Sequence, residues 1–326
     1  MQKDGWLQRP DHCPTCKRGH LYETLEGDTV LLQCGESECR SHFSALSLSK
    51  VLPKNLGRGM TPVMVHQAIK AYCAAGTSSS ASPQTVATQL GCSAKPVSRL
   101  FAALRRKEAD LGVKFNKNTK LNTSVEPDGH VVRIAGISVK NPTYQGLVQQ
   151  WKLKHKGERL PKFFQMHVVV LGAFQRGSSK CILEPGALKV VAPKARAGTE
   201  GTAEVRAAKL MDRCEPMTVI FPDGAKAWVR AASEQNKGLK CAAVKHLHSQ
   251  FVLQDRTVLR RGASRWRGTQ KADREWDILD QYIPRAIHTL KEKQLNPELW
   301  LWIRSWQWRK SVSTKDLYSE LGAACR

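Results

Sequence analysis

The sequence predicts an α/β protein: a layered domain with a mixed sheet and flanking helices, preceded by two small modules. Three observations carry this expectation. Apolar, β-rich runs at residues 130–139, 163–174, 180–191 and 217–221 come first, with a helical stretch, 199–213, between the last two. The pattern turns helical again from about residue 271, and strands followed by strand–helix alternation suit a sheet layered with helices. Ahead of these lie two close cysteine pairs and then a helical region with capping signals. The expected domains are residues 1–55, 56–111, a basic Asn-rich linker at 112–121, and 122–326. No internal repeat is seen, and Ser78 to Ser82 reads as a short Ser-rich loop.

The bulk numbers narrow the function. With 41% hydrophobic residues in 326, the chain is globular and large enough for two or three domains. Lys and Arg number 52 against 28 Asp and Glu, giving +24. A charge that large draws in polyanions, so nucleic acid is the expected partner. No uncharged apolar run reaches the roughly 18 residues of a membrane helix, and residues 1–9 lack an apolar signal region. A protein neither membrane-bound nor secreted is expected, in a reducing compartment where clustered cysteines bind metal more often than they pair.

The first module is read from its cysteines. Cys13-Pro-Thr-Cys16 is followed, after a strand-like segment at 29–33, by Cys34-Gly-Glu-Ser-Glu-Cys39. Two close pairs joined by a short hairpin put four thiolates at the corners of a tetrahedron, the geometry Zn²⁺ favours. Lys17, Arg18 and Arg40 offset the negative charge, and His12 and His20 are left outside a shell already filled. Cys73, Cys92, Cys181, Cys214, Cys241 and Cys325 show no pair spacing and are expected to pack as small hydrophobes.

The second module is helical. Ser82-Pro83 starts a helix as N-cap and first-turn proline, Gly91 ends it, and Ser93 starts the next. Val97, Leu100, Phe101 and Leu104 follow the i, i+3, i+4, i+7 spacing of one buried stripe. Lys95, Ser98, Arg99, Arg105 and Arg106 fall outside it. A short helix, a glycine turn and a second helix with a basic outer face resemble a helix-turn-helix, whose second helix enters the major groove of DNA. Residues 61–75 supply the preceding helix.

In the third domain three acidic motifs stand in order: Val125-Glu-Pro-Asp128-Gly, Val219-Ile-Phe-Pro-Asp223-Gly, and Gly268-Thr-Gln-Lys-Ala-Asp273-Arg-Glu-Trp276. Asp223 follows an apolar strand, where ligand sites gather in α/β sheets. Pro127-Asp128-Gly129 is also a turn signal between two β runs. Together with the cysteine ribbon leading into Ser41-His-Phe-Ser44, and with His248-Ser249 followed by Phe251, this order resembles the transposases of bacterial insertion sequences and their eukaryotic Merlin-type relatives, along nearly the whole chain.

The resemblance implies a zinc ribbon, a helix-turn-helix and a ribonuclease-H-like catalytic domain. It implies that Asp128, Asp223 and Asp273 hold two Mg²⁺ or Mn²⁺ ions and cleave and join phosphodiesters at transposon ends. Asp273 and Glu275 flank the stripe Ala272, Trp276, Leu279 and Ile283 at similar angles, and the family's register, an acid three residues before the tryptophan, selects Asp273. Gly129 stands where the family usually has a second acid, and Asp273 where it commonly has Glu. These departures leave a catalytically inactive, transposase-derived DNA-binding protein as the alternative, with a zinc-ribbon RNA-binding protein third. The implied partners are double-stranded DNA (terminal inverted repeats and target) and further copies of the chain. The implied location is the nucleus, or the cytoplasm and nucleoid of a bacterium.

Two basic or aromatic stretches remain. Residues 151–162 carry Lys152, Lys154, Lys156, Arg159 and Lys162 and read as a phosphate-contacting loop. Asn296-Pro297 starts a helix with a core stripe of Leu299, Trp302, Ile303 and Trp306. Arg304, Arg309 and Lys310 lie elsewhere, and Trp300 and Trp308 fall off the stripe, free to stack on bases or a partner.

Overall fold

The structure is a computed structural model that describes residues 6, 10–26, 29–49, 52–53, 56, 59–77, 79–193, 198, 200–223, 225–243, 253–254, 266–267, 269–285, 287, 292–312 and 316–324. The motif residues His248, Ser249, Phe251 and Gly268, together with Ser78, Thr199 and Cys325, lie outside the described residues. Among the described residues, no helix is long and apolar enough to cross a membrane.

Two compact units are present: Met1–Val113 with Arg304–Arg326, and Lys114–Ile303. The first opens with a three-stranded antiparallel sheet of β1 (Leu21–Glu26), β2 (Thr29–Cys34) and β3 (His42–Ser44). Three helices follow. Thr61 caps α1 (Pro62–Ala74) by accepting from the Met64 amide, and Ser82 caps α2 (Pro83–Leu90) by accepting from the Thr85 amide. Each has proline in its first turn, where the missing N–H costs nothing. Gly91 closes α2 in the left-handed region, at φ 65°, and α3 (Ala94–Asn118) begins three residues later. Val97, Leu100, Phe101 and Leu104 are all buried and share one core with Val65, Ile69, Val86, Trp308 and Leu321.

The second unit is built on a five-stranded mixed sheet. Its strands are β4 (Ser124–Ser138), β5 (Phe163–Gln175), β6 (Cys181–Val191), β7 (Val219–Ile220) and β8 (Lys240–Cys241), in the order β6-β5-β4-β7-β8. β4, β5 and β6 form an antiparallel meander, while β7 pairs parallel with β4 and β8 parallel with β7. The first strand of this unit, β4, therefore lies at the centre. α4 (Gln145–Lys154) sits in the β4–β5 connection, and α5 (Thr202–Ala207) and α6 (Lys226–Ser233) flank β7 in sequence. Two short strands, β9 (Leu253–Gln254) and β10 (Trp266–Arg267), pair with each other. α7 (Gln270–Tyr282), α8 (Glu292–Ser311) and α9 (Leu317–Ala323) complete the chain.

One sheet face buries Val125, Val169, Leu171, Ala173 and Ile220 against Val205, Trp228 and Ala231 of α5 and α6. α7 packs on β4 and β5, with Trp276 edge-on to Phe174, 5.0 Å between centroids. Residues of opposite parity to Val125 on β4 therefore face α7, because side chains alternate along a strand. With helices on both faces, β5 reads as a continuous apolar run and is buried almost throughout.

Several expectations are corrected. Residues 112–118 are not a linker but the end of α3. Asn116 there is buried, accepting from the Leu183 amide and donating to Glu184. The final segment, Arg304–Arg326, groups with the N-terminal helices and not with the α/β domain expected at 122–326. Pro127-Asp128-Gly129 is not a turn: it lies within β4, opposite Ala173, Gly172 and Leu171. Proline is tolerated because β7 pairs only Ser124 and Val125. Val125 gives its carbonyl to β7, and Pro127, of the same parity, would aim its N–H past that strand's end. α8 begins before Asn296, with Pro297 inside it. Trp308 and Arg309 are buried, and Cys241 is exposed, so neither Trp308 nor Cys241 behaves as the sequence suggested.

Arg309 owes its burial to a partner far away in sequence. Its Nε donates to both Glu108 oxygens at 3.0 and 3.1 Å, and its other nitrogens donate to the Tyr72 and Gly76 carbonyls. Tyr72 and Ser305 hydroxyls donate to the same carboxylate. The network ties α1, α3 and α8 with every charged atom occupied, the condition under which a buried ion pair is tolerated.

Candidate metal centre and acidic site

The cysteines of the first module converge. Cys13 Sγ lies 3.8 Å from Cys39 Sγ and Cys16 Sγ 3.7 Å from Cys34 Sγ, with all four sulfurs within 4.8 Å of one another. A disulfide needs about 2.05 Å, whereas sulfurs about 2.3 Å from a tetrahedral zinc stand about 3.8 Å apart. The backbone shapes this spacing twice over. The Lys17 amide returns to the Cys13 carbonyl and the Arg40 amide to the Glu36 carbonyl, both residues in the left-handed region. Each turn aims amides at sulfur: Gly19 donates to Cys16 Sγ at 3.5 Å and Glu36 to Cys34 Sγ at 3.4 Å.

The thiols do not titrate alike. Amide hydrogen bonds from Gly19 and Arg18 lower Cys16 to about 6, while burial pushes Cys34 up to about 12. Burial opposes ionisation of Cys13 as well, but backbone hydrogen bonds from Cys16 and Thr15 carry it below its usual value. Four contacting thiols cannot all ionise without a cation among them, and this donor set is compatible with structural zinc. His12 and His20 are exposed and lie against each other with rings tilted by 42°, centroids 5.1 Å apart, outside the cluster.

The α2–turn–α3 hairpin presents a basic surface. Lys95, Ser98, Arg99 and Arg106 are exposed on α3, opposite the buried stripe, and Arg105 is half-buried. In the other unit, Lys152 and Lys154 are exposed on the last turn of α4 and Lys156 on the turn that follows, so the expected loop begins as the end of a helix.

The acids of the sheet are placed by register. Val125 pairs with Ile220 across the parallel β4–β7 ladder, and Asp128 and Asp223 each stand three residues further on. Asp128 is still within β4, whereas Asp223 lies in the segment beyond the end of β7, near enough for its charge to act on Asp128. Asp128 is pushed up to about 8, first by burial and then by the nearby charge of Asp223, with Glu200 adding to it. Asp223 is half-buried and accepts from the Ala225 amide at 3.1 Å.

Asp273 is exposed on the first turn of α7, its carboxylate 3.4 Å from the Thr269 hydroxyl. Glu275 is buried and pairs with Lys271 at 3.3 Å. Among the described residues, the four cysteines form the group of three or more whose ligand atoms lie within 4.8 Å; Asp128, Asp223 and Asp273 do not form one.

The acid that does approach the pair is Glu200, which sequence reasoning missed. It lies just before α5, and a Cβ on Gly129 would collide with its carboxylate. Its own pKa is raised, first by burial and also by Asp223. Gly129, read as a vacancy beside Asp128, is where a second acid enters from another segment.

Comparison of the chain with protein-family models, curated proteins and solved structures returned no match.

Proposed function

We propose that this chain is a metal-dependent DNA transposase whose sheet domain cleaves and joins phosphodiesters. The observation that carries the reading is the approach of Asp223, just past the end of β7, to Asp128 on the neighbouring central strand β4. Ribonuclease-H-like enzymes draw their acids from a first strand, the end of a later strand and a late helix, and β4, β7 and α7 offer those positions. The donors fit a hard divalent cation: carboxylate oxygens, one of them held far from its ordinary pKa by burial and by like charge. Asp128 and Asp223 would hold Mg²⁺ or Mn²⁺, which would activate water or a 3′-hydroxyl and stabilise the leaving oxygen. Asp273, by motif register, and Glu200, by proximity, compete for the third position. The cysteine cluster with zinc, and the basic face of α3, would engage terminal-repeat DNA, and α4 would track phosphates.

The test is Mg²⁺-dependent cleavage of DNA carrying the element's own ends. Asp223→Asn is expected to abolish cleavage and spare binding, and Asp273→Asn against Glu200→Gln identifies the third acid. Cleavage that survives both Asp128→Asn and Asp223→Asn would refute the proposal. The inactive DNA-binding derivative draws on one observation, that these acids do not close to 4.8 Å as a trio. DNA binding by a wild-type chain that never cleaves would select it.

A further inference from the structure

α7 lies along β4 in a matched register. Glu126, which pairs with Arg176, accepts the Ala272 amide at 2.9 Å, fixing the start of the helix to the strand. Asp128 accepts the Trp276 indole N–H at 2.9 Å, and His130 Nε2 meets Asp280 Oδ2 at 2.9 Å. Two strand residues advance about 6.7 Å and four helix residues about 6 Å, so residues 126, 128 and 130 meet 272, 276 and 280 in turn.

The indole is held on every side. His130 stacks on it, centroids 5.1 Å apart and planes 14° from parallel, and Phe174 meets it edge-on. Beneath it is Gly172, the residue opposite Asp128 on β5. A Cβ there would come within 2.7 Å of Trp276 Cζ2, so only glycine admits the ring. Trp276 itself is 2% exposed.

We propose that Trp276 is the positioning residue of Asp128, its indole N–H fixing one carboxylate oxygen while the His130–Asp280 pair fixes the indole. The inference rests on the reading of Asp128 as a metal-binding acid and adds what orients it. An N–H to one oxygen orients the carboxylate, to which the Gly129 backbone also donates, and favours its charged form. It works against burial and against Asp223 and Glu200, the acids that hold Asp128 high. His130 from β4 and Asp280 from α7 form a titratable pair beside the indole, with Glu126 at the start of the helix. A tryptophan read from sequence as core stripe thus acquires a second role.

The experiment uses the full chain labelled with ¹⁵N. The Trp276 indole resonance is assigned by its loss in Trp276→Phe, which keeps the aromatic packing and removes the N–H. It is expected to shift in Asp128→Asn, which removes the charge that the indole N–H meets. That shift should persist when Asp128→Asn is made in a His130→Phe background. Addition of MgCl₂ should move the same resonance, and Trp276→Phe should raise the half-saturating Mg²⁺ concentration about tenfold, the loss of one charge-assisted hydrogen bond.

An indole resonance indifferent to Asp128→Asn would overturn the proposal, as would wild-type Mg²⁺ affinity in Trp276→Phe. A resonance that moves with Asp128→Asn but ignores Mg²⁺ would support the pairing and overturn the metal reading.

Discussion

Asp128→Asn should stabilise the protein at neutral pH while destroying the proposed site. The carboxyl is raised from 3.8 to about 8 in the folded chain. A group whose folded pKa exceeds its unfolded value binds its proton more tightly when folded. Folding is therefore penalised progressively as the pH climbs from the ordinary carboxylate range through about 8, and the penalty is complete above that. A displacement of about four pH units corresponds to roughly 4 kcal/mol at pH 7 and between 5 and 6 above pH 8. Water penetration and relaxation lower this, so about 1–4 kcal/mol is expected at pH 7. Asparagine keeps an oxygen to accept from the Trp276 indole, so the comparison isolates charge. Urea unfolding of both chains, followed by tryptophan fluorescence at pH 4, 7 and 9, measures it. The gap should widen with pH, and Mg²⁺ at pH 8 should stabilise wild type more than the variant, since it binds only the folded acid site. A gap independent of pH would refute the reasoning.

Three further outcomes are expected. Cys16→Ser should release the metal from the cysteine cluster and leave residues 10–44 open to proteolysis with the sheet domain intact; elemental analysis and limited proteolysis check both. Glu108→Gln should cost about 3–5 kcal/mol in unfolding, because Arg309 is left buried without its counter-charge. Arg99→Ala should weaken preference for the cognate site, whereas Lys154→Ala should weaken all duplexes alike and lower the salt slope by about one, as read by fluorescence anisotropy across a NaCl series.

Local patterns were legible in sequence, and long-range ones were not. The cysteine pairs carry their geometry in their spacing, and the stripes Val97-Leu100-Phe101-Leu104 and Ala272-Trp276-Leu279-Ile283 needed only the helical period, every member being buried. The end of α3 was hidden because Lys114 to Asn118 look polar, yet Asn116 is satisfied by Leu183 and Glu184 from a distant strand. Pro-Asp-Gly suggested a turn because nothing local reveals that β7 stops beside Val125. Arg309 reads as a surface cation until Glu108 is known to face it. Glu200 carried no motif at all, and only the bare α-carbon of Gly129 hints at something seated there.

The Glu108–Arg309 pair sets a timetable for synthesis. Its two members are 201 residues apart, and at ribosomal rates of about 5–20 residues per second the arginine follows the carboxylate by about 10–40 s. Trp308, Tyr318 and Leu321, which complete the same core, are made later than everything in the sheet unit. A nascent chain therefore carries α1, α2 and α3 unfinished for the whole time the sheet is being made. Any interruption of the message within the sheet unit also leaves the N-terminal helices without Trp308, Tyr318 and Leu321, so only a chain that extends through Leu321 completes the core behind α2 and α3.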